Sequence, residues 1–166
     1  MEDILEGHSC PHDPKRPLVC IDEASKPQVQ ATREPLPRQA GKPQRYDDED
    51  AHHGVSHRLM LFAPLEGWRR MDVTDRRTSV DFAHGLTAIV DVHFPEAEQV
   101  VLVSDHLNTH QPAALYEAFA PAARHMMEKL AWHDTPKHGS WLERAEIELS
   151  VLQWQCLDAA SRIRRR

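Results

Sequence analysis

The chain has 166 residues, of which 40% are hydrophobic and 28% charged, and it carries a net charge of −6. That length reads as one domain able to bury a core. No apolar run approaches the roughly 20 residues of a membrane span, and the acidic start MEDILEGHSC lacks the basic-then-apolar order of an export signal. A cytoplasmic protein with no membrane partner is expected. Cys10, Cys20 and Cys156 are odd in number and lack a CxxC pair, which argues against a disulfide framework.

In chain order, residues 1–16 read as an irregular lead-in. Leu18 to Ala24, with Val19 and Ile21, predicts a short buried strand around Cys20, with Asp22 closing its apolar part. Residues 26–57 are polar and dotted with Pro27, Pro35, Pro37 and Pro43. They read mostly as loop, with short extended pieces near Val29 to Thr32. Arg58 to Ala63 and Trp68 to Thr74 flank Pro64-Leu65-Glu66-Gly67, the pattern of a β-hairpin. Thr78 or Ser79 can cap the next helix, with Asp81 in its first turn, Phe82, Leu86, Ile89 and Val90 at helical spacing, and Pro95 as its stop.

Val100 to Val103 predicts a second buried strand, ending in Asp105. Pro112 opens a helix with Leu115, Ala118 and Phe119, and Pro121 interrupts it before Met126, Met127 and Leu130. Ala131 to Asp134 reads as a short last strand. The stripe Leu142, Ala145, Leu149, Leu152, Cys156 and Ala159 then marks an amphipathic helix, with Cys156 on its apolar face. A hairpin followed by alternating strand and helix implies an α/β fold, a mixed sheet with helices on its faces.

Acidic residues stand out in this pattern. Active sites of open α/β sheets gather at the carboxyl ends of strands, and both Asp22 and Asp105 are assigned to such ends. A helix-borne Glu packed across them would complete a trio able to hold two Mg²⁺ ions about 3.5–4 Å apart for attack at a phosphodiester. Magnesium favours carboxylate oxygens and retains waters, so few protein ligands suffice. A single Asp after a strand is more often a turn former. Two of them with a Glu change that balance. Glu143 points away from the apolar stripe, whereas Glu146 and Glu148 lie on its opposite edges at about 100° per residue, so both remain candidates.

Other features are less specific. His8, Cys10 and His12, and His52, His53 and His57, do not match structural zinc spacings and read as solvated. Basic residues are local: Arg69 and Arg70, Arg76 and Arg77, and the terminal Arg162, Arg164, Arg165 and Arg166. Proteins that hold duplex DNA usually show a basic face, so net charge alone decides nothing.

The strings VCIDEASKP, GWRRMDVTDRRTSVDFAHGL, VVLVSDHLNTHQPAALYEAF and TPKHGSWLERAEIELSVLQWQCLD carry a resemblance. They resemble the catalytic domain of bacterial insertion-sequence transposases related to the mariner group. These are Asp-Asp-Glu enzymes on an RNase H-like fold, with a mixed sheet of about five strands whose first three are antiparallel. The resemblance implies a catalytic domain over 17–160, while the basic tail at 161–166 does not resemble the family. It selects Glu146 over Glu148, making Asp22, Asp105 and Glu146 the catalytic, metal-binding triad.

It also implies two magnesium ions, with manganese as substitute, and DNA as partner, both transposon ends and target. An active homodimer is expected. There are departures: Glu143 stands where Asn is usual, and His106 follows Asp105 where Asn is common. No helix-turn-helix domain precedes Pro17. The expectation is therefore a truncated enzyme, completed by a separately encoded helix-turn-helix half or by intact transposase. The alternatives are a non-catalytic remnant that inhibits the intact enzyme and a self-sufficient nuclease.

Overall fold

A computed structural model describes residues 11–32, 39–42, 49–104, 113–119, 123–135 and 144–157. Its centre is a five-stranded sheet. Strands β1 (Leu18–Ala31), β2 (Asp50–Ala63) and β3 (Trp68–Thr74) form an antiparallel meander, while β4 (Val100–Ser104) and β5 (Leu130–Asp134) run parallel to β1. The spatial order is β3-β2-β1-β4-β5. This is the mixed sheet with three antiparallel strands first that the sequence implied.

Alternation along the strands gives the sheet two faces. Val19, Ile21, Leu59, Leu61, Val100 and Leu102 share one apolar cluster with Phe82, Leu86, Leu115 and Met126. That face is covered by α1 (Ser79–Thr87), α2 (Ala113–Phe119) and α3 (Ala123–Lys129). Gly85 permits the close approach of α1, since a β-carbon there would lie 2.7 Å from a Leu59 methyl. The opposite face carries Leu18, Cys20, Met60 and Val103, packed under Ala145 and Leu149 of α4 (Arg144–Leu152). Helices therefore flank both faces, and among the described residues none is long and apolar enough to cross a membrane.

Local signals explain several elements. Gly67, at φ 60°, turns β2 into β3 at the expected hairpin. Thr78 caps α1: its hydroxyl accepts the Asp81 N–H, while the Asp81 carboxylate accepts the Thr78 N–H. Beyond α1 the backbone widens into a π turn (Ala88–His93), which turns both Ile89 and Val90 fully inward.

Four expectations are corrected. The segment 26–57 is not mostly loop, because β1 runs on to Ala31 and β2 begins at Asp50. Asp22 therefore lies within a strand and does not end one. Leu130 opens β5 instead of closing a helix. Cys156 is exposed, whereas Cys20 is buried as expected. A π turn (Gln153–Leu157) follows α4, and its wider winding carries Cys156 off the apolar stripe.

Candidate active site

The register between β1 and β4 builds the site. Their parallel pairing runs from Leu18↔Val101 to Ile21↔Ser104. Asp22 follows the last paired residue of β1, and Asp105 follows Ser104 in the sequence. Beyond that point β1 continues with β2 alone, Asp22 standing opposite Met60. Among the described residues the sheet narrows there from five strands to the meander, with no strand on the β4 flank of Asp22. Asp105 itself lies outside the described residues, as do His106, Asn108, His110, Lys137, His138, Trp141 and Glu143.

Asp22 shares the parity of Leu18 and Cys20, which is the face covered by α4. It is half-buried, and its Oδ1 accepts the Glu23 N–H at 2.7 Å. The next residue, Glu23, belongs to the opposite face. Its nearly buried carboxylate is paired with the Arg77 guanidinium, just before the α1 cap. Adjacent acids thus have separate roles, one locked beneath the sheet and one on the α4 side. The Glu23–Arg77 pair was missed in the sequence, where Arg77 was only one of several local basic residues.

Helix α4 crosses β1 and β2, anchored by Ala145 and Leu149. The two glutamates that periodicity left open now differ. Glu148 accepts a hydrogen bond from Arg69 Nη1 on β3 at 2.8 Å, with its side chain only 22% exposed. Glu146 is exposed, on the helix flank away from Arg69. Among the described residues no group of three or more His, Cys, Asp or Glu side chains is set to hold a metal ion. Of the histidines named in the sequence, His12 is bonded to Glu66 and His57 to the Ser25 hydroxyl, and His8 lies outside the described residues.

Chemically, Asp22 and Glu146 offer hard oxygen donors, the kind that suits Mg²⁺ or Mn²⁺. Comparison with known proteins bears on the family and the fold. A family model described as DDE superfamily endonuclease matches residues 17–166. The fold is similar to the crystal structure of the Mos1 strand transfer complex, with a TM-score of 0.59 at 12% identity, covering 98% of this chain and 47% of that one. It is also similar to the Mos1 mariner paired end complex with Mn, with a TM-score of 0.54 at 14% identity, covering 94% and 46%. At such identities the likeness is one of fold, and the chain spans about half the length of those solved chains. No curated protein matches the chain.

Proposed function

The chain belongs to the DDE superfamily endonucleases, and from that membership we propose that it is the catalytic domain of a DNA transposase, cutting and joining DNA strands with divalent metal held by Asp22, Asp105 and Glu146. The observation that carries the reading is the β1–β4 register, in which Ile21 and Ser104 are partners and each directly precedes one of the two aspartates. Val101 and Val103 belong to the α4-covered face, and Asp105 continues their parity in the sequence. Glu148's engagement by Arg69 supports Glu146 as the third ligand. The Mos1 mariner paired end complex with Mn and the Mos1 strand transfer complex agree in kind with this chemistry.

When bound, a pair of Mg²⁺ or Mn²⁺ ions would activate a water or a DNA 3′-hydroxyl and stabilise the departing 3′-oxygen. The protein's own part is positioning. Asp22 is held by ladders on β1 and by the Glu23 N–H, so its carboxylate has a fixed origin. Glu146 rides on a helix pinned at Ala145 and Leu149 and tied laterally through Glu148 to Arg69. No covalent enzyme intermediate is needed, because both nucleophiles are brought by water and DNA.

The test is cleavage of a supercoiled plasmid with Mg²⁺ or Mn²⁺, alongside calorimetric titration of Mn²⁺ in the presence of a duplex oligonucleotide. Asp22→Asn and Asp105→Asn are expected to abolish both the nicking and the Mn²⁺ heat. Nicking that survives Asp105→Asn would remove Asp105 from the site.

A further inference from the structure

We propose that Arg58 is a DNA-phosphate contact built into the floor of the site, an assignment that rests on the acidic face proposed above. Arg58 is opposite Ala24 on β1, two residues along β2 from Met60, which is opposite Asp22. It shares the parity of Met60 and Phe62, and Ala24 itself packs on the α4-side cluster, so Arg58 and Asp22 belong to one face as diagonal neighbours. This is the stretch where β1 and β2 continue past the last β1–β4 pair, so among the described residues no strand borders it on the β4 side.

Most of the other described arginines are committed, the exceptions being Arg76 in an exposed bend and Arg144 at the start of α4. Arg69 is bonded to Glu148, Arg70 to Asp72, Arg77 to Glu23, Arg124 to Glu128 and Arg16 to Gln99. Arg58 is half-buried, and its one hydrogen bond among the described residues is a long 3.4 Å contact from Nη2 to the Ser56 hydroxyl. A guanidinium partly withdrawn from water, with no carboxylate partner among the described residues, keeps most of its planar donor fork available. That fork matches phosphate geometry bidentately. A DNA backbone led to Asp22 along the β1–β2 ribbon would pass over it, and the positive charge would offset part of the repulsion between phosphate and the acidic trio. The ligand class is therefore the phosphodiester next to the one being cut.

The experiment measures affinity for a duplex oligonucleotide across a salt series without metal, and Mn²⁺ titration in parallel, for wild type, Arg58→Gln, Arg58→Lys and Asp22→Asn. Arg58→Gln is expected to weaken duplex binding several-fold and to lower the slope of log K against log salt by about one, with Mn²⁺ binding retained. Arg58→Lys keeps the charge without the fork, so the slope returns while affinity recovers only in part. An unchanged duplex affinity and slope in Arg58→Gln overturns the proposal, as does a wild type that binds no duplex at any salt. A loss in Arg58→Gln that Arg58→Lys does not relieve in slope, accompanied by a lowered Tm, also overturns it by assigning the arginine to the fold. Failure of the metal site gives a separate signature, namely Mn²⁺ binding unaffected by Asp22→Asn whatever Arg58 does.

Discussion

Two glutamates two residues apart on one helix show how much a single partner decides. Glu148 reaches back to Arg69 across β3, an ion pair whose arginine is 67% exposed. Solvent screens such pairs, and removing one carboxylate here should cost no more than about 1 kcal/mol. Glu148→Gln is therefore expected to lower Tm slightly and to leave Mn²⁺ binding in place, while Glu146→Gln leaves Tm intact and loses the Mn²⁺ heat. The reverse outcome in calorimetry would move the third ligand to Glu148. His93 offers a second residue-level test. Burial against Trp68, whose ring centroid lies 4.3 Å away, together with the nearby Arg70 guanidinium, holds the imidazole below its usual range, and Asp72 opposes this only in part. The unfolded chain takes up that proton near pH 6.5, so His93 contributes its stability above that pH and loses it as the pH falls toward the lower folded value. His93→Gln should show a smaller drop in Tm between pH 7 and pH 5 than wild type. Equal drops would show that the histidine does not titrate differently on folding.

Elements differ in how plainly their residues announce them. The first helix was legible because its cap and its stripe are local: Thr78 and Asp81 satisfy each other's backbone donors, and Phe82, Leu86, Ile89 and Val90 are all fully buried. Thr78→Ala leaves the Asp81 N–H without its hydroxyl acceptor and is expected to destabilise by about 1 kcal/mol, read as a lower midpoint in urea with an unchanged slope. A loss below a few tenths would show that the capping box is not holding the helix start. The β2–β3 hairpin was legible for a similar reason, a glycine with positive φ between two apolar runs. The ribbon formed by the outer halves of β1 and β2 was not. It buries little, so Lys26, Pro27, His52 and His53 alternate without an apolar stripe, and Pro27 falls at a register shift where a missing N–H is tolerated. Its strand character comes from the ladder between segments some twenty or more residues apart, which no local window contains. The same blindness hid Glu23–Arg77, and it placed Asp22 at a strand end when only the neighbouring β4 stops there.

At the scale of the whole molecule, the proposed site requires the complete fold. β1 meets β4 across the entire meander and the first helix, and α4 closes on both only after a further strand and two short helices. Asp22, Asp105 and Glu146 are far apart in the unfolded chain, which therefore has no comparable binding site. The fold's basic groups are largely committed elsewhere, Lys15 to Glu98, Arg70 to Asp72 and Arg124 to Glu128, in a chain of net charge −6. A ligand that binds the native state alone stabilises it by mass action, about 2.7 kcal/mol at one hundred times its Kd. For a domain of this size that corresponds to a rise in Tm of about 5–11 °C. Raising Mn²⁺ at fixed duplex concentration should therefore lift the Tm of wild type by that order and leave Asp22→Asn where it began. Equal rises in both would mean that the cation acts on other carboxylates of this acidic chain, and that the proposed ligands Asp22, Asp105 and Glu146 do not hold it.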